Sequence, residues 1–236
     1  MSSLITPHRR RGVEILDDPN VDDVLRKRSL DDVACSNTMF GGARAVLVEL
    51  ACELGNGGAR TVSVLDVGTG IGDIPARVRD KAREHGITIS AFGIDLSPCL
   101  LHTARENGVT PVCADALALP IATNGVDIAM CSQLLHHFET ELTVGVLREL
   151  DRVARHRVIV SDLRRSWLAA AGIWAASFPL RFHPVSRHDG VVSVLRGFTP
   201  AELSELVFAA TRQRPVTHRR LGFRTTASWI PRPLTT

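Results

Sequence analysis

The residues best placed to do chemistry gather around one short stretch, Asp66-Val67-Gly68-Thr69-Gly70-Ile71-Gly72. A carboxylate heads three glycines at alternate positions. The β-branched and apolar run Val62, Val64, Leu65 and Val67 leads into them and reads as a buried strand. Pro75 follows where a first helical turn would begin, a position that Pro tolerates. The unit is strand, glycine turn, helix. Its glycines allow positive φ and close approach of a ligand to the main chain. The helix behind them offers free N–H groups to an electron-rich ligand group.

Spacing separates two ligand classes. A dinucleotide turn has the form G-x-G-x-x-G, and its third glycine would fall on Asp73. That weighs against a nucleotide-dependent oxidoreductase. A carboxylate at Asp66 suits a cationic group better than a phosphate. Further candidates recur after later strands. Asp95 lies 29 residues beyond Asp66 and ends a strand over Ile87–Ile94, well placed to accept ribose hydroxyls. It competes with Ser97 for the role of cap on the helix that Pro98 opens. Asp115 follows a strand over Val109–Ala114, where an Asp alone reads as a turn former. His136 and His137 follow a strand over Val126–Met130, and Asp162 follows one over Arg157–Ser161. A His–Asp pair at one sheet edge would orient the imidazole and stabilise its protonated form.

In order on successive strands, Asp66 to Gly72, Asp95, Asp115 and the L-H-H-F loop after Met130 resemble class I S-adenosylmethionine-dependent methyltransferases. The resemblance extends over about residues 43–230. It implies an α/β, Rossmann-like, seven-stranded sheet of order 3-2-1-4-5-7-6 with the last hairpin antiparallel. It implies S-adenosylmethionine as cofactor, held by Asp66, Gly68, Thr69, Gly70, Gly72 and the Cys131 carbonyl around its methionine part. Asp95 would take the ribose. Asp115, the Ala116 N–H and Leu96 would hold the adenine. The L-H-H-F loop resembles small-molecule enzymes of secondary metabolism and quinone biosynthesis, with His136 or His137 and Asp162 as base machinery for a hydroxyl acceptor. His183 and His188 are further base candidates, and no metal is expected. C-methylation, carboxyl methylation and a non-catalytic binding partner stay open.

The elements that position these groups follow from periodicity. Residues 1–17 read as a loose or partly ordered arm, with Asp17 or Asp18 capping a helical region to Leu54 that breaks at Asn37–Gly42. Asn56-Gly57-Gly58 ends it. Helices are expected over Ile74–Glu84, Cys99–Asn107, Glu139–His156, Trp167–Phe178 and Ala201–Ala210, and irregular chain over Arg181–Gly197. Residues 1–54 would cap a core spanning 55–236, with 164–197 inserted on the substrate side, all in one structural domain. Trp167, Leu168, Ile173, Trp174, Phe178 and Phe182 could line an apolar acceptor pocket.

Composition agrees. Hydrophobic residues make up 44% and the net charge is +3, too small to suggest nucleic acid. The five cysteines form no C-x-x-C pair, so a disulfide framework or zinc site is not expected and a reducing cytoplasm is. The apolar run Trp167–Leu180 is too short for a bilayer.

Overall fold

A computed structural model describes residues 6–10, 12–18, 20–54 and 60–232. Strands β1 (Arg60–Val67), β2 (Ile87–Asp95), β3 (Thr110–Cys113), β4 (Val126–Ser132), β5 (Ala154–Leu163), β6 (Val216–Arg220) and β7 (Arg224–Trp229) form one seven-stranded sheet. Its order is 3-2-1-4-5-7-6. β1 to β5 pair in parallel, and β7 runs antiparallel to both neighbours. This is the expected class I methyltransferase sheet.

Strand side chains alternate between faces. Val64, Ile128, Met130 and Ile159 meet Val46 and Leu50 of α2 (Gly42–Leu54) and Ile74 and Val78 of α3 (Asp73–Arg83). Leu65, Ala129, Val158 and Val160 meet Val146, Leu147 and Leu150 of α5 (Thr140–Val153) and Leu203 and Val207 of α8 (Pro200–Thr211). With both faces covered, the inner strands are apolar almost throughout. Each fully buried Val, Leu or Ile contributes about 1.5–3 kcal/mol. That rigid layer delivers the ends of five parallel strands to one edge, where such sheets bind ligands.

Several expected boundaries shift for identifiable reasons. α5 stops at Val153, and β5 begins at once because Ala154 pairs with Val126. Arg155 then reaches Asp127 at 2.6 Å. The stretch expected to be irregular holds α7 (Pro184–Arg196). Pro184 opens it and the His183 ring accepts a hydrogen bond from Val185 N. Gly190 lies within α7, where a Cβ would come to 3.3 Å from Ile173 of α6 (Trp167–Ala176). α1 (Asp23–Met39) is capped by Asp22, which accepts from Val24 N and Leu25 N, and not by Asp17 or Asp18. α4 (Pro98–Glu106) follows Ser97, whose side chain makes no capping bond. The Asn56-Gly57-Gly58 stop lies outside the described residues.

Of the two readings of the arm, loose or partly ordered, its described residues follow the second. Arg165 Nε donates to the Pro7 carbonyl at 2.6 Å, Arg9 Nε to Arg196 O at 2.8 Å, and Arg196 Nε to Gly12 O at 2.8 Å. Asp189 of α7 accepts from Ile15 N at 2.9 Å and Leu16 N at 3.0 Å. Among the described residues, no helix is long and apolar enough to cross a membrane.

Candidate active site

The glycine turn sits at the sheet's carboxyl edge. Gly68 N and Thr69 N both donate to the last β2 carbonyl before Asp95, that of Ile94, at 2.8 and 2.9 Å. Gly68, Gly70 and Gly72 all have positive φ. A Cβ on Gly68 would come to 2.7 Å from Leu134, so this glycine lets the loop after β4 close over the turn. A Cβ on Gly70 would meet nothing within 4 Å, leaving open space above the main chain. Asp66 is buried, and its Oδ1 has no hydrogen-bond partner. Burial, reinforced by the nearby charges of Asp73 and Asp95, pushes its carboxyl up to about 8. Burial also raises Asp73, just behind the turn.

Asp95 Oδ2 accepts from Gly70 N at 3.0 Å and its Oδ1 from Ser97 N at 3.0 Å. Asp95 thus couples the turn to α4 and itself serves the helix start that had been expected of Ser97. Leu96 is exposed, Asp115 is exposed with Oδ1 accepting from Leu117 N, and Ala116 is buried. Cys131 is buried in β4 between Val67 and Val160. Burial there raises its thiol well above the usual range.

Beyond β4 the chain turns through Gln133, whose φ of 56° is left-handed without glycine's freedom. The turn brings His136 onto Asp162. His136 Nδ1 lies 2.7 Å from Asp162 Oδ1, and His136 N donates to Oδ2 at 3.2 Å. Both side chains are buried. Burial opposes ionisation of Asp162, but the charge and hydrogen bond of His136 outweigh it and hold the carboxyl below its usual range. His136 Nε2 points the other way, 4.0 Å from Glu14 of the arm. His137 turns outward to Asp17 at 2.9 Å. Arg196 bridges Glu14 at 3.0 Å and Asp17 at 2.7 Å. Glu14, His136 and His137 bring ligand-capable atoms within 4.8 Å of one another, though the arginine already supplies positive charge to that carboxylate pair.

His136 opens on a cavity of about 390 Å³ enclosed by the arm, α1, α6, α7 and the start of β7. Leu168, Ile173 and Phe182 line it as expected, whereas Trp167, Trp174 and Phe178 are partly exposed and lie outside it. His183 caps α7, and His188 leans on Asp189 at 2.8 Å; neither lines the cavity.

Residues 64–157 match the family model described as a methyltransferase domain. That match spans 94 of the 236 residues. The match runs from β1 through α5 into β5 and takes in the glycine turn, Asp95, Asp115 and the His136 loop. Solved structures share the fold of this chain over most of its length. Magnesium protoporphyrin IX methyltransferase from Synechocystis, with bound S-adenosylmethionine, superposes with a TM-score of 0.53 at 15% identity, covering 92% of this chain and 88% of that one. A SAM-dependent methyltransferase from Aquifex aeolicus gives 0.52 at 17% identity, covering 78% and 89%. PigF with S-adenosylhomocysteine gives 0.52 at 20%, covering 70% of this chain and 49% of that one. No curated protein sequence matches the chain.

The residues at the glycine turn fit S-adenosylmethionine. A buried carboxylate oxygen without a partner calls for a donor, and the ligand's α-ammonium is one. The space above Gly70 admits the ligand to the backbone.

Three residues at the site went unnoticed in the sequence: Glu14, Gln133 and Arg224. Glu14 looked like part of a charged arm. Gln133 carries no signal that its backbone is left-handed. Arg224 had a readable signal, a charge heading the otherwise uncharged strand Arg224–Trp229.

Proposed function

We propose that this methyltransferase moves a methyl group from S-adenosylmethionine to an oxygen of a small, largely apolar acceptor such as a phenol, a polyketide or a quinone-type hydroxyl. The observation that carries this reading is the buried 2.7 Å contact between His136 and Asp162 at the wall of the acceptor cavity. A cavity of about 390 Å³ suits a small-molecule ligand.

On this reading Asp66 and the Cys131 carbonyl take the α-ammonium. Gly68, Thr69, Gly70 and Gly72 keep the main chain close, and Asp95 takes the ribose hydroxyls. Asp115, the Ala116 N–H and Leu96 take the adenine. The cofactor supplies a methyl carbon already activated by its sulfonium. The chain's residues align the acceptor, exclude water and accept a proton. His136 donates Nδ1–H to Asp162, which leaves the Nε2 lone pair facing the acceptor. Nε2 takes the hydroxyl proton and Asp162 stabilises the imidazolium. Such general-base help is worth on the order of 10²–10⁴ in rate. His137 is engaged by Asp17 and positions the arm instead of acting as base.

The test is transfer of radiolabelled methyl to phenols, quinones and polyketides, by wild type and His136→Gln. The reading predicts labelled ether product, reduced at least a hundredfold in the variant at unchanged S-adenosylhomocysteine affinity. Equal turnover by both proteins would overturn it.

A further inference from the structure

Arg224 heads β7 with only 2% of its surface exposed, and it lines the acceptor cavity. A buried guanidinium is costly unless it is paired and its donors are satisfied. Arg224 is neither. One nitrogen donates to Gln133 Oε1 at 2.7 Å, a neutral partner. Its Nε is buried with no hydrogen bond. Among the described residues no carboxylate lies within 4.0 Å of it. Asp162 is near enough to favour its charge, yet the hydrogen bonds of that carboxylate go to His136 and Leu163 N. Burial lowers Arg224 to about 10, so it remains charged at neutral pH.

The carboxylates around the same cavity are, by contrast, already engaged. Glu14 and Asp17 share Arg196. Asp32 accepts from His183 N at 2.9 Å and Ser186 Oγ at 2.7 Å. Asp189 accepts from the two arm amides. The cavity's other guanidinium, Arg26, reaches the arm carbonyls of Leu16 and Asp18. The unmet electrostatic demand in this cavity is therefore for negative charge and sits at Arg224.

We propose that Arg224 recognises an anionic oxygen on the acceptor, a carboxylate or acidic phenolate, while the acceptor's reacting hydroxyl faces His136. This rests on the methyltransferase reading above and narrows its substrate class to apolar hydroxy acids and their phenolate equivalents. Gln133 holds the guanidinium from one side. Its other end donates to Asn37 of α1, and Asn37 donates to Asp73 at 3.4 Å. Gln133 thus fixes the direction in which the remaining donors point.

The experiment measures binding by calorimetry in saturating S-adenosylhomocysteine, with a 6-alkyl-2-hydroxybenzoate and the 3-alkylphenol that lacks its carboxylate. Wild type is expected to bind the carboxylate at least tenfold more tightly. Arg224→Gln should erase that preference, Arg224→Lys should keep part of it, and both variants should bind S-adenosylhomocysteine as wild type does. If Arg224→Gln does not fold, the wild-type pair alone decides. A phenol bound as well as the hydroxybenzoate, or a preference surviving in Arg224→Gln, overturns the proposal. S-adenosylhomocysteine binding without carboxylate preference would defeat this inference alone. Loss of S-adenosylhomocysteine binding in wild type would defeat the broader reading.

Discussion

His136 Nδ1 lies 2.7 Å from Asp162 Oδ1, although 26 residues separate the two in the chain. Ser132 and Ser161 are register partners on adjacent strands, so the loop leaving one strand falls on the end of the other. The contact fixes the imidazole by its Nδ1 edge and leaves Nε2 on the side of Glu14 and the cavity.

Asp162→Asn should therefore lower turnover by about 10²–10⁴, as expected for loss of a general base's orienting charge. Cofactor affinity should stay within a factor of about two. The pH–rate profile separates this from a packing defect: the acidic limb should move when the carboxylate's charge is removed. An unmoved profile with a uniform drop would mean Asp162 only packs.

Asp66 should make cofactor binding pH-dependent. Its carboxyl rises from 3.8 in the unfolded chain to about 8 in the folded one. The stability it lends is full below pH 3.8 and is lost as pH rises through about 8. An ammonium beside it reverses the sign, since the charged form becomes the favoured one. S-Adenosylhomocysteine should thus release close to one proton on binding at pH 7. Calorimetry in phosphate and in Tris should give apparent enthalpies that differ by that proton. Asp66→Asn should give equal enthalpies, and equal enthalpies in wild type would contradict the assignment.

The arm clamp carries its own pH window. Burial opposes ionisation of Asp17, but the bonds from His137 and Arg196 win and lower it to about 2. Burial likewise opposes a charged His137, but its hydrogen bond to Asp17 and the charges of Glu14, Asp17 and Asp162 raise it. The Asp17 contribution is full above pH 3.8 and fades as pH falls through about 2. The His137 contribution is full below pH 6.5 and fades as pH rises through its elevated folded value. Hydrogen exchange of residues 13–18, corrected for intrinsic rates, should be slowest between about pH 4 and 6.5. His137→Gln should flatten the alkaline side of that profile.

Much of this was legible in the sequence because it rests on local chemistry. The D-x-G-x-G-x-G turn, the alternation of strands and helices, and the order of Asp95, Asp115, His136 and Asp162 all follow from short-range patterns. The strand order came from the family resemblance that those motifs carry. What escaped depends on contacts distant in the chain. Whether the arm was loose or partly ordered stayed open because its anchors, Asp189 and Arg196, lie about 170 to 190 residues away. α7 was hidden because Pro, Ser, His, Asp and Gly compose half its length and normally mark loops. Trp174 and Phe178 looked like pocket lining because hydrophobicity does not say which face of a helix turns inward.

The most direct measurement of the central claim is the affinity of S-adenosylhomocysteine for wild type, Asp95→Ala and His136→Gln by calorimetry at pH 8. Binding by wild type, weakened at least tenfold in Asp95→Ala and unchanged in His136→Gln, is the predicted result. Absence of binding to wild type, or equal binding by Asp95→Ala, would contradict a nucleoside site at the carboxyl edge of β1 and β2.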